Sequence, residues 1–182
     1  MKPGVPPSPL CTLNPMAILL VMGVSGSGKT TLGRAVASHL GWTFADADDF
    51  HPSRNLEKMR RGEALTDADR WPWLEKMHAL LERHATANEP VALACSALKA
   101  GYRRTLLRGL PGVRVVFLRA DRDTLERRMR AREHFMPPGL LASQLEALEP
   151  PLEGEALVLD AKEPLERQVW RVVGWVRLDG EG

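Results

Sequence analysis

Eight residues constrain this chain more than any others: Gly23-Val24-Ser25-Gly26-Ser27-Gly28-Lys29-Thr30, a G-x-x-x-x-G-K-T run. Residues 16–22 before it are unbroken apolar, too short to span a bilayer and long enough for a buried strand. After it, Leu32, Val36 and Leu40 recur every four residues with Ala35 alongside, as on one face of a helix. The motif therefore lies between a strand and a helix, the context its mechanism requires. Its glycines let successive backbone N–H groups converge on phosphate oxygens, and the helix N-terminus adds positive potential. Lys29 is placed to reach the β- and γ-phosphates, and the Thr30 hydroxyl to take a position on Mg²⁺. The competing reading is a Gly/Ser turn before an ordinary helix, and the flanking pattern disfavours it. This is a nucleotide phosphate site.

The rest of the composition narrows the class without adding chemistry. At 182 residues the chain is long enough for one domain with a proper core. Its 25 basic and 23 acidic side chains leave a net charge of +2, which argues for no nucleic-acid or membrane partner. Residues 1–14 hold no secretory signal and read as a disordered tail, with residues 15–182 as a single domain. Cys11 lies in that tail and Cys95 in a core strand, so no structural disulfide is expected and a reducing cytoplasm fits.

Along the chain, residues 42–45 read as a second strand running into Asp46-Ala47-Asp48-Asp49. Carboxylates at the C-terminal end of a strand in an open α/β sheet face the ligand crevice. Strand alternation puts Asp46 and Asp48 on one side and Asp49 on the other, suiting one carboxylate near the metal and one near a substrate hydroxyl. Capping of the next segment, which Asp49 can supply, is the plainer alternative. A short helix over residues 53–61 stops at Gly62, and a longer one starts with Asp69 as N-cap and Pro72 at N3. The tryptophans in it read as packing. Lys58 and Arg70 belong to a locally basic stretch, most of it solvated, from which one or two cations could clamp an anionic substrate.

Residues 91–95 form a third strand whose end carries Ser96, with Lys99 and Arg103 close behind, facing the same crevice as the phosphate loop. A fourth strand over residues 113–118 leads into the densest basic run, including Arg119, Arg122, Arg127, Arg128, Arg130 and Arg132. Solvated pairing with neighbouring acids explains most of it. Phosphoryl transfer nevertheless needs cationic donors over the moving group, and arginine supplies a planar fork of them. A mobile lid over about residues 122–140 is one source. A helix over residues 140–148, a fifth strand over residues 156–160 and a last helix complete a parallel α/β sheet with right-handed crossovers. The loop over residues 160–164 lies where a nucleotide base could rest.

Several separated blocks then resemble the small P-loop gluconokinases: the phosphate loop itself, Asp48-Asp49-Phe50-His51-Pro52, Asp69-Arg70-Trp71-Pro72-Trp73-Leu74, Cys95-Ser96-Ala97-Leu98-Lys99, His134-Phe135-Met136-Pro137 and Ser143-Gln144. Ala47 stands where that family usually has Gly. The resemblance implies a three-layer P-loop kinase fold with strand order 2-3-1-4-5, a substrate-binding helical segment over about residues 50–88, a lid and a homodimer. It implies ATP-dependent phosphorylation of D-gluconate, with ATP and Mg²⁺ as cofactors. Residues 23–30 would hold the nucleotide, Thr30 and Asp46 the metal, and Asp48 the acceptor hydroxyl as proton acceptor. Arg128, which would also touch the nucleotide, and Arg132 are the lid cations assigned to catalysis, with Arg130 a third possibility. Lys58, Arg70, Ser96, Lys99 and Arg103 are the candidates for gluconate. The rivals are a shikimate or nucleoside monophosphate kinase, and a non-catalytic protein that binds ATP as a switch.

Overall fold

A computed structural model describes residues 18–131 and 138–178. The 1–14 tail, Cys11, Arg132 and His134 lie outside the described residues. The elements follow in the order β1 (Ile18–Met22), α1 (Lys29–Leu40), β2 (Thr43–Asp46), α2 (Ser53–Arg60), α3 (Asp67–Ala87), β3 (Val91–Ala94), α4 (Ala100–Leu107), β4 (Val113–Arg119), α5 (Arg122–Arg130), α6 (Pro138–Ala147), β5 (Leu157–Asp160) and α7 (Leu165–Leu178). All strand pairs are parallel, in the order β2-β3-β1-β4-β5. The fold is that of the P-loop kinases, as the sequence blocks imply.

The apolar run before the phosphate loop becomes the central strand, with Leu20 paired to Leu93 on one side and Val115 on the other. Each of its five residues is at most 1% exposed. Removing a side chain of that size from water contributes about 1.5–3 kcal/mol, which anchors this strand between two layers. Alternation decides which layer each residue serves. Leu19 and Val21 pack with Leu32, Val36 and Leu40 of α1 and Val172, Val173 and Val176 of α7. Ile18, Leu20 and Met22 pack with Trp73, Leu74, Met77 and Leu81 of α3 and Leu106 of α4. A third cluster, Val24, Leu98, Leu125, Met129 and Leu141, joins the phosphate loop to α5 and α6.

Two glycines are required where they stand. A Cβ on Gly23, at φ 148°, would lie 2.7 Å from the Leu118 carbonyl oxygen. One on Gly33 would meet the Phe44 ring at 2.9 Å, so its absence lets α1 lie against β2.

Two local expectations are corrected. Strand alternation does not continue through the acidic run: β2 ends at Asp46, and Ala47–Phe50 is a 3-10 turn. Asp46, not Asp49, caps that turn by accepting the Asp48 N–H at 3.1 Å. A side-chain oxygen that captures an N–H two residues on favours a turn over continued strand. Ala47 is fully buried, and its carbonyl accepts the Trp73 indole N–H at 2.8 Å. The second correction concerns α3. Its N-cap is Thr66, with Asp69 at N3 closing a capping box, because that pairing satisfies two orphan donors at once. Pro72 consequently falls inside the helix.

Candidate active site

The phosphate loop and the end of β2 meet in one corner. The Thr30 hydroxyl donates to Asp46 Oδ2 at 2.6 Å, while the other oxygen of that carboxylate caps the 3-10 turn. Lys29 is 8% exposed and its Nζ donates to the Val24 carbonyl at 3.2 Å, folded back over the loop. Among the described residues no cluster of three or more His, Cys, Asp or Glu side chains could cage a metal. One hydroxyl and one carboxylate nevertheless suit Mg²⁺, which keeps waters and substrate phosphates as its other ligands.

Beside this corner opens a cavity of about 150 Å³, whose lining includes Asp48, His51, Arg70, Trp73, Ser96 and Gln144. The 3-10 turn supplies Asp48. Its side chain is 67% exposed and lines this cavity. Desolvation by the neighbouring protein raises its pKa above the usual carboxylate value, Lys29 opposes that rise, and Asp46 and Asp49 add to it. A carboxylate shifted upward beside a phosphate site is suited to accept a proton.

Arg70 enters from the first turns of α3. Its guanidinium carbon lies 5.7 Å from the Tyr102 ring centre, and its buried Nε has no hydrogen-bond partner. A buried donor without a partner is costly, and a guanidinium that lines a cavity suits an anion there. Ser96 follows β3, and its carbonyl accepts the Gly23 N–H at 3.4 Å, which ties the third strand end to the phosphate loop.

The other cations taken from the sequence sit elsewhere. Lys58 Nζ donates to Asp69 at 2.8 Å. Lys99 Nζ donates to both Asp67 oxygens, at 2.9 and 3.1 Å, and the Tyr102 hydroxyl shares that carboxylate. These contacts hold Asp67 and Asp69 below the ordinary carboxylate range and fasten the start of α3. Arg103 donates to the carbonyls of Ala97, Leu98 and Glu149. Ala97 has φ 45°, a left-handed conformation unfavourable for a residue with a Cβ, and Arg103 braces the turn that contains it. Arg128 reaches the outside of the phosphate loop: it donates to the Ser27 carbonyl at 2.8 Å and to Ala161, after β5, at 2.5 Å. Cys95 is 1% exposed, and burial pushes its thiol up to about 12, so it packs as a small hydrophobe.

Two site residues were not singled out from the sequence. Gln144 on α6 accepts the Ser25 N–H at 2.8 Å and donates to the Ser25 hydroxyl at 3.0 Å, joining α6 to the phosphate loop. His51 stacks on Trp73, ring centres 4.2 Å apart, and sets Nε2 3.9 Å from Asp48 Oδ1. Both lie inside blocks that carried the resemblance. That was the only signal available, since each acts across more than its own element.

Comparison with known proteins gives the family. Residues 18–151 match a family described as an AAA domain. A gluconokinase from Gluconobacter oxydans (strain 621H) is 48% identical over 145 residues, covering 77% of this chain and 79% of that protein. A probable gluconokinase from Mus musculus is 46% identical, covering 78% and 86%. The solved structure of a gluconokinase from Sinorhizobium meliloti 1021 superposes with a TM-score of 0.81 at 41% identity, covering 91% of this chain and 94% of that one. With phosphate loop, strand-end carboxylates and a cavity side by side, and with relatives this similar along most of its length, the chain is a P-loop kinase and belongs to the gluconokinase family.

Proposed function

We propose that the protein transfers the γ-phosphoryl group of ATP to the 6-hydroxyl of D-gluconate, giving 6-phospho-D-gluconate and ADP. The observation that carries this reading is that Arg70, whose buried Nε has no hydrogen-bond partner, lines the same cavity as Asp48. A cation and a proton acceptor lining one cavity suit a polyol whose carboxylate and primary hydroxyl are its two ends. Arg70 is favoured for the carboxylate over Lys58, Lys99 and Arg103, whose donors are already engaged. Ser96 serves the sugar hydroxyls.

In the reaction the acceptor oxygen forms a bond to the γ-phosphorus, the bond from that phosphorus to the β-γ bridging oxygen breaks, and Asp48 takes the hydroxyl proton. The transition state is loose, so orienting the hydroxyl matters more than base strength. The loop amides and Lys29 hold the phosphates. Thr30 and Asp46 are the residues that would hold Mg²⁺, which when bound neutralises charge on the β- and γ-phosphate oxygens. Arg128 would sit beside the nucleotide, between the loop and residues 160–164, and Arg132 would add charge over the γ-phosphate. The reading includes a homodimer in solution, which light scattering tests.

An ADP-release assay with gluconate, shikimate, a nucleoside monophosphate or no acceptor tests the whole. Release is expected with gluconate alone; release without dependence on gluconate would overturn the proposal.

A further inference from the structure

The tautomer of His51 can be read from a backbone carbonyl two contacts away. Asn55 is fully buried, and its Nδ2 donates to the Asp69 carbonyl oxygen at 3.0 Å. A carbonyl only accepts, so the amide cannot be turned round: the reverse orientation would set two acceptor oxygens against each other. The second hydrogen of the same NH₂ group is directed at His51 Nδ1, 3.4 Å away. Nδ1 must then be the acceptor. A neutral imidazole with Nδ1 unprotonated carries its hydrogen on Nε2, and Nε2 is the atom 3.9 Å from Asp48 Oδ1.

The ring is also fixed in place. It lies nearly parallel to Trp73, at 13° between planes, and its side chain is 6% exposed. The Trp73 N–H is in turn bonded to Ala47, next to Asp48 in the chain. His51, Trp73 and the turn bearing Asp48 thus move as one piece. The charged groups around the ring are Asp48 on its own turn and Arg70 on α3, with the Lys58–Asp69 pair beyond Asn55; the cavity-lining side chains of α6 are uncharged. Burial, and then Arg70, lower the imidazole to about 4, so it stays neutral wherever a kinase of this kind would be assayed.

We infer that His51 is a positioning residue: its Nε2–H, 3.9 Å from Asp48 Oδ1 and so one small side-chain adjustment from hydrogen-bond distance, takes one oxygen of the Asp48 carboxylate when the acceptor binds, leaving the other for the acceptor hydroxyl. The inference rests on the reading of Asp48 as proton acceptor. A fixed donor stops the carboxylate from rotating away, and being uncharged it does so without removing the basicity that Asp48 needs.

Steady-state kinetics of the full chain test it with two replacements. His51→Phe keeps the stacking on Trp73 and loses the donor; His51→Gln can present an amide N–H in its place. His51→Phe should lower kcat about 10–100-fold with KM for ATP unchanged, the range for one lost positioning contact. His51→Gln should restore most of that loss, and the wild-type pH profile should show no limb between pH 6 and 8 that disappears in His51→Gln. Wild-type turnover in His51→Phe, no rescue by His51→Gln, or such a limb would overturn the inference. In an Asp48→Asn background His51→Phe should cost less than about threefold more, since two residues acting as a unit are not additive; a full second loss counts against it. Nitrogen NMR of the wild-type histidines covers the case of a variant that does not fold: a His51 protonated at Nδ1 rather than Nε2 overturns the inference directly. Should Asp48→Asn itself retain turnover, the underlying reading fails; should it collapse while His51→Phe stays active, only this inference does.

Discussion

The two halves of the site are built in opposite ways. The phosphate half is one continuous stretch, residues 23–30, set by its own glycines and by the strand and helix it joins. The half proposed for the acceptor is assembled from the 3-10 turn, α2, α3, the loop after β3 and α6. The first half should therefore fail locally and the second through remote contacts.

The largest expected effect separates chemistry from nucleotide binding. Asp48→Asn should cut turnover about 10²–10⁴-fold, the usual contribution of a general base, while leaving the Kd for ATP nearly unchanged by calorimetry. It should also melt no lower than wild type. Because the native pKa of Asp48 is raised, the folded state binds that proton more tightly than the unfolded chain does. Stability from this group therefore falls as pH rises from the ordinary carboxylate value through the raised one, and Asn removes the penalty. Turnover of the wild type should decline on acidification through the same raised pKa, as the base becomes protonated.

Next in size, Lys29→Met should lower kcat/KM about 10²–10³-fold, the scale for a lost charged donor at a transferring group. It acts on the nucleotide side, so gluconate binding in a direct titration should barely change. Arg70→Met should do the reverse: KM for gluconate rising about 10–100-fold, equivalent to the 1.5–3 kcal/mol of a charged hydrogen bond, with KM for ATP constant. Equal effects on both substrates would erase the distinction between the halves.

Arg103→Ala distinguishes bracing from binding. Loss of its contacts to three carbonyls should cost about 2 kcal/mol in denaturant unfolding, with a smaller change in KM for gluconate than Arg70→Met causes. Lys99→Met should be the mildest, with nearly normal kinetics and a small shift in melting, because its partner Asp67 is solvent-exposed and water screens the pair. A large KM effect there would return Lys99 to the substrate.

The phosphate corner was legible because its determinants are contiguous: an apolar run, glycines at fixed offsets, then Lys29 and Thr30. The partnership of Thr30 with Asp46 was also within reach, since Asp46 ends β2 and Thr30 opens the helix that follows β1, both at the C-terminal edge of the sheet. The geometry of the acidic run was not. Strand alternation was extended one turn too far, because nothing in Asp46-Ala47-Asp48-Asp49 announces that the Asp46 carboxylate will take the Asp48 N–H. The start of α3 was misplaced for a related reason, since Thr66 and Asp69 are both good caps and only reciprocal bonding chooses between them. Among the cations Lys58, Arg70, Lys99 and Arg103, composition made all four equal, and the partner that folding brought to each told them apart.

By itself, then, the sequence determined the parallel α/β layers, the phosphate loop and, through the blocks resembling gluconokinases, the family. Those depend on periodicity and contiguous motifs, which survive in one dimension. Only the tertiary structure decided that Arg70 keeps a buried donor without a partner, that Arg103 braces a left-handed turn, and that His51 lies between Asn55 and Asp48. Each of these depends on which polar atom is left over once all others are satisfied, a property of the folded contacts rather than of any stretch of chain.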